Sequence, residues 1–215
     1  MNFDEFSILI SKIKNIPLPA EASQFKMVPA FRQDLLKKQK NAVDKAKQAG
    51  VMALFYPDKN NLTYLVLILR NTYPGVHSAQ IGFPGGRLEA TDVSLEAAAV
   101  RETFEEVGVP IANIEVVRAL TPVYIPPSNF NVSPFLGICK TTPQFKKQDE
   151  EVEAVLEISL DQLLSDNNVA TEILSTSYSS EVTVPAFKFN AHIVWGATAM
   201  MLSEIKDLLK KGYVV

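Results

Sequence analysis

A single cysteine, Cys139, in a chain of 215 residues excludes an intramolecular disulfide. It closes an apolar stretch, so it is expected in the core of a protein kept in a reducing compartment. Positive charge is in short supply too: 21 Lys and Arg against 24 Asp and Glu give a formal net charge of −3 and a pI near 5.5. Binding a long polyanion ordinarily needs a basic patch, so nucleic acid is not an expected partner. Long hydrophobic runs are missing as well. The N-terminal MNFDEFSILISKIKNIPLP is acidic at its start, and its apolar run is too short for a signal peptide or a membrane span, so the expectation is a cytoplasmic protein with no membrane partner. No repeat period of about 20–50 residues and no low-complexity linker interrupts the chain.

What is present is enough apolar material, 47% of residues, for one substantial core. The expected organisation is a single domain over 1–215 with an N-terminal helical extension at about 1–48. Phe3, Phe6, Leu9, Ile10 and Ile13 recur at helical spacing, which predicts a helix over 3–14 ended before Pro17 and Pro19. A second helix is predicted from Phe31 to about Ala49, with Leu35, Leu36, Val43 and Ala46 as its packing side. Its basic run Lys37-Lys38-Gln39-Lys40 reads as a solvated face, with phosphate contact as the alternative.

From Gly50 the texture changes. Val51–Tyr56 and Tyr64–Leu69 are nearly continuous apolar runs around the turn signal Asp58-Lys59-Asn60-Asn61, the mark of a hairpin of central strands covered on both faces. Further strands are expected at 114–117, 131–139 and 155–158, and a short helix at Leu160–Leu164. Residues 171–190 read as strand, turn and strand, with Pro185 confining the second to an edge or its start. The proline-rich 122–127 reads as a loop, mobile or shaped for binding. Tyr124 and Phe130 near it can stack on an adenine ring or simply pack. His192 and Trp195 read as a packed, hydrogen-bonded pair before a last helix from Ala197 to Leu209. This order of elements predicts an α/β sandwich with a mixed central sheet between helices.

One stretch asks for a chemical explanation: FPGGRLEATDVSLEAAAVRETFEEVGV, residues 83–109. A Pro-Gly-Gly turn precedes a predicted helix in which Glu102, Glu105 and Glu106 share an arc of about 100°. Ala97, Val100, Phe104 and Val107 fall opposite, as the expected core face. Like charges at i,i+4, placed toward the helix C-terminus, are unfavourable on both counts. Arg101 can neutralise one carboxylate, and a hard divalent cation answers the remainder. The alternative is a solvated acidic face.

Gly86, Asp92, Arg101-Glu102, Glu105-Glu106 and Gly108-Val109 together resemble the Nudix box, the signature of Nudix hydrolases. Three departures stand out: 14 residues separate Gly86 from Arg101, one more than usual, Asp92 replaces a Glu, and Thr103 replaces an aliphatic residue. The stretch LILRNTYPGVHSAQIGFPGG, residues 67–86 with Arg70 and the run His77 to Gly86, is similar to the motif that coenzyme A diphosphatases of this family place before a lengthened box. Residues 184–209 are similar to the tail of the same subgroup. The resemblance implies a Nudix fold and Mg²⁺ or Mn²⁺ as cofactor, bound by Glu102, Glu105, Glu106 and the carbonyl of Gly86. Glu105 would share in activating water, and Arg101 would orient the glutamates. Arg70, His77 and Gln80 would meet the substrate, and Glu151 or Glu153 is the candidate for a distal carboxylate. The implied reaction is hydrolysis of the diphosphate of coenzyme A or a derivative to adenosine 3′,5′-bisphosphate and 4′-phosphopantetheine. The alternatives are a Nudix hydrolase of ADP-ribose or a nucleoside triphosphate, or a non-catalytic ligand sensor. The sequence leaves a homodimer open.

Overall fold

The structure, a computed structural model, describes residues 1–29, 40–72, 80–176 and 179–214. Helix α1 (Phe3–Ile13) is capped by Asn2, whose side chain accepts the Glu5 amide at 2.9 Å, and it buries the five apolar residues picked out by helical spacing. A single turn, α2 (Glu21–Gln24), follows. The second expected helix is corrected at its end: Lys40–Lys45 is a 3-10 segment, and β1 (Lys47–Pro57) has already begun where helix was expected. Gln48 and Ala49 lie opposite Asn131 and Val132, so ladder pairing overrides their helix propensity. The rest of that segment, including Lys37, Lys38 and Gln39, lies outside the described residues.

The hairpin forms as expected. β2 (Thr63–Arg70) runs antiparallel to β1 with Phe55 opposite Leu65. Asp58 accepts the amides of Asn60 and Leu62 at 2.9 and 2.7 Å while Asn61 takes the left-handed conformation at φ 61°, and this closes the turn. The chain continues through β3 (Ile81–Gly82), β4 (Gly85–Arg87), α3 (Leu95–Val107), β5 (Glu115–Ala119), β6 (Val123–Ile125), β7 (Phe130–Ile138) and β8 (Val152–Ser159). Then come α4 (Leu160–Leu164), β9 (Val169–Thr176), β10 (Ser179–Phe189), β11 (His192–Trp195) and α5 (Gly196–Val214).

The main sheet has the order β3-β2-β1-β7-β5, with β4 also on β1, β6 on β7 and β8 on β2. β1 and β7 are parallel and the other pairs antiparallel, so the sheet is mixed. Alternation along β1 and β2 explains their unbroken apolar runs. Met52, Leu54, Tyr56, Val66 and Ile68 pack on the side of α3, while Ala53, Phe55, Leu65 and Leu67 pack on the side of α1 and α5. The result is an α/β fold with the mixed sheet between helices. Cys139 is buried in the α3-side core.

Three local expectations change. Part of the proline-rich stretch is strand: Val123–Ile125 pairs with β7, and only Pro126–Ser128 turns. Pro185 sits inside β10, the middle strand of the antiparallel sheet β11-β10-β9, opposite Thr171. The ladder to β11 begins at Ala186, so at Pro185 one side of the strand has no partner and the missing N–H is tolerated. His192 and Trp195 lie three residues apart on β11, which aims them at opposite faces of the strand, not at each other. No helix among the described residues is long and apolar enough to cross a membrane.

Candidate active site

α3 starts where Ser94 accepts the Ala97 amide at 3.1 Å, and it stops where Gly108 turns left-handed at φ 75°. It buries Ala98, Ala99, Thr103, Glu106 and Val107, whereas Phe104 is 48% exposed. The expected division into an apolar packing side and an acidic open side is therefore corrected. Helix and strand approach closely at the start of α3: a Cβ on Gly50 of β1 would strike the Leu95 carbonyl and crowd the Ala99 amide, so that contact takes small side chains, while Phe104 lies on the open side. Thr103, in place of an aliphatic residue, is fully buried and donates its hydroxyl to the Ala99 carbonyl at 2.7 Å.

Glu106 is 2% exposed. Its Oε2 accepts the Gly85 amide at 2.7 Å, and its Oε1 lies 3.4 Å from Nη1 of Arg70 but takes part in no hydrogen bond. Arg70 in turn donates through Nη2 to the Gly85 carbonyl at 2.9 Å. Burial pushes the Glu106 carboxyl up to about 7 against the pull of Arg70 and the Gly85 amide, and the charges of Glu102 and Glu151 add to the rise.

Arg101 gathers the other acids. Its Nε and Nη2 donate to the two oxygens of Asp92 at 3.0 and 2.9 Å, and its Nη1 donates to Glu102 at 3.0 Å and Glu105 at 2.8 Å. This fork holds the Asp92 carboxyl below its usual value, with help from the Glu89 amide. Asp92 thus binds the arginine. Glu102 is part-buried, and its carboxylate lies against Gly86, where any Cβ would collide with it. Burial raises its pKa, Arg101 opposes that, and Glu105 and Glu151 add to it. Glu105 stands at the rim, 49% exposed.

Of the remaining sequence candidates, Gln80 accepts the Arg70 amide on its carbonyl at 3.0 Å, and His77 lies outside the described residues. Glu151 acts electrostatically on both Glu102 and Glu106, and its carbonyl accepts the Asn71 amide at 2.9 Å. Tyr124 donates to the Asn129 side chain at 3.0 Å, and Lys47 lies 5.6 Å over the Phe130 ring, so both aromatics have partners within the fold. Sequence reasoning missed Gly85 as an amide donor and Asn71, which also donates to the Asp149 carbonyl at 2.9 Å. The Gly-Gly pair was a visible signal for the first. Nothing local marked the second.

Among the described residues, no three His, Cys, Asp or Glu side chains converge as a ready-made metal cage, and Arg70 and Arg101 sit among the carboxylates. The donors nonetheless suit a hard divalent cation. They are carboxylate oxygens, one buried oxygen has no hydrogen-bond partner, and burial raises the pKa of both Glu102 and Glu106 even with a guanidinium beside each.

Residues 46–175 match the family model described as NUDIX domain. The chain is 33% identical over 153 residues to Uncharacterized Nudix hydrolase NudL of Salmonella paratyphi B, an alignment that covers 66% of this chain and 78% of the relative. Among solved structures it is similar to the Nudix hydrolase RenU from M. smegmatis, with TM-score 0.53 and 14% identity over 77% of this chain and 87% of that one. It is also similar to a MutT/nudix family protein from Enterococcus faecalis, with TM-score 0.51 and 19% identity over 77% and 62%. At such identities these likenesses speak for the fold alone.

Proposed function

The chain belongs to the Nudix hydrolases, enzymes acting on pyrophosphate bonds, and from that premise we propose that it cleaves the diphosphate of coenzyme A or a derivative of it. The products would be adenosine 3′,5′-bisphosphate and 4′-phosphopantetheine. The observation that carries this reading is the run from Arg70 to Gly86. It resembles the motif of coenzyme A diphosphatases, and its first residue reaches both Gly85 and Glu106 of the box. Another nucleoside diphosphate derivative, such as ADP-ribose or a nucleoside triphosphate, fits the box itself equally well.

In this reading Glu102 and Glu106 would hold Mg²⁺ or Mn²⁺, with Glu105, the Gly86 carbonyl and Glu151 as further donors. Such an ion, when bound, supplies Lewis acidity at the phosphoryl oxygens and lowers the pKa of a bound water. Glu105, at the rim, takes the proton of the attacking water. Arg101, fixed on Asp92 along one edge, orients Glu102 and Glu105 with its other nitrogen. Arg70, His77 and Gln80 position the substrate, the guanidinium being suited to phosphate oxygens.

The test is mass spectrometry of products after incubation with coenzyme A and, separately, ADP-ribose, each with Mg²⁺, Mn²⁺ or chelator. Cleavage of coenzyme A alone, abolished by chelator, is expected. Preference for ADP-ribose would retain the chemistry and discard the subgroup, and turnover of neither would favour a different substrate or a sensor.

A further inference from the structure

Glu106 and Arg70 form an unequal pair. The carboxylate is almost wholly enclosed, and one oxygen is pinned by the Gly85 amide. The other oxygen faces Arg70 at 3.4 Å by charge alone. The guanidinium is held by its hydrogen bond to the Gly85 carbonyl, and its side chain remains 25% exposed, with solvent on one side. Arg70 also follows a register shift in the β2–β8 ladder, between Leu69 and Arg70, a break in regular pairing that re-aims a side chain at a strand end.

A buried carboxylate needs a counter-charge, and a guanidinium beside it supplies one. A divalent cation on the same oxygen would repel that guanidinium, so the two compete for one position. We propose that Arg70 is the built-in counter-ion of Glu106 and that a divalent cation binding at Oε1 displaces it, freeing the guanidinium for the phosphate groups of the substrate. This rests on the metal-site reading above. It adds an order to the events, cation before substrate, and it means that the fold itself opposes metal binding.

The direct test follows the Arg70 Nε–H resonance of the ¹⁵N-labelled, chelator-stripped full chain, assigned by through-bond correlation, as Mg²⁺ is added without substrate. It should move along the metal-binding isotherm. A resonance unchanged at Mg²⁺ saturation overturns the proposal and leaves the metal site standing, whereas a wild-type protein that binds neither Mg²⁺ nor Mn²⁺ overturns both. Independently, Mn²⁺ titration read by electron paramagnetic resonance should show Arg70→Gln binding roughly tenfold tighter than wild type, the scale of one part-buried charge contact. The gain should vanish in the Glu106→Gln background. Equal or weaker binding by Arg70→Gln would contradict the competition, and if that variant does not fold the wild-type resonance decides alone.

Discussion

Glu106 and Glu204 are both enclosed glutamates on helices, 2% and 0% exposed, but their surroundings differ. Glu204, on α5, receives Nε2 of Gln24 at 3.0 Å, the Thr121 hydroxyl at 2.6 Å and the Thr121 amide at 3.3 Å, so both its oxygens are in use. Around it Ser203 donates to the Ser23 carbonyl at 2.8 Å, and Ser23 and Lys26 both donate to Asp207, which stitches the segment after α1 onto the last helix. Glu106 has one oxygen in use and the other facing a cation without a hydrogen bond. Burial alone therefore does not mark a functional carboxylate. A satisfied one fastens elements together, and an incompletely satisfied one stores electrostatic demand that a ligand can answer.

The strongest way to break this comparison is Glu106→Gln. It preserves shape and removes the charge, so turnover should fall on the order of a thousandfold, as expected when metal charge stabilisation worth several kcal/mol is lost, with the circular dichroism spectrum retained. Near-normal turnover at saturating Mg²⁺ would sink the metal assignment.

A second effect comes from pH. The folded-state pKa of Glu106, about 7, lies above the ordinary 4.5, so the folded chain keeps a proton that the unfolded chain has lost. Stability of the metal-free protein should therefore fall as pH rises from about 4.5 to 7, by at most about 3 kcal/mol, and level off above that. Urea midpoints of chelator-treated wild type, referred to Glu106→Gln between pH 5 and 8, measure it. A difference that grows in favour of the wild type over this range would contradict the burial argument.

Glu204→Ala sharpens the other half. It strands Gln24 and Thr121 in the interior and should cost about 2 kcal/mol in urea unfolding while kcat per folded molecule stays at the wild-type value. A collapse of kcat in the folded variant would mean that the two glutamates are not separate in function. The smallest effect is expected at Phe104: Phe104→Ser should stay within about 0.5 kcal/mol of wild type, as at a surface position, whereas a core phenylalanine would cost about 3 kcal/mol or more.

Much of the fold was legible because its signals are local. The spacing of Phe3, Phe6, Leu9, Ile10 and Ile13 is α1, the turn at Asp58–Asn61 is the β1–β2 turn, and the two continuous apolar runs are strands covered on both faces. Where expectation failed, a distant partner had decided. Residues 47–49 are strand because β7 lies beside them, and the face of α3 that meets β1 at Gly50 carries Leu95 and Ala99 while Phe104 is left outside. Pro185 fits inside β10 because β11 stops one residue short of it. At the site, the acidic helix and its arginine were readable as residue types at a spacing. The orphaned oxygen of Glu106, the Gly85 amide, the fork of Arg101 on Asp92 and the electrostatic reach of Glu151 to Glu102 and Glu106 were not.

The amino-acid sequence by itself determined the order of elements and the grouping of acids, arginine and glycines on one helix and its leading turn, because periodicity and spacing along a chain are properties of the chain. Tertiary structure alone decided which carboxylate is buried, which is paired and which keeps an oxygen without a hydrogen bond. Those depend on solvent exclusion, on charges brought from β2 and the segment before β8 and on a backbone amide of β4, and desolvation acts through space, with no trace in the spacing of residues.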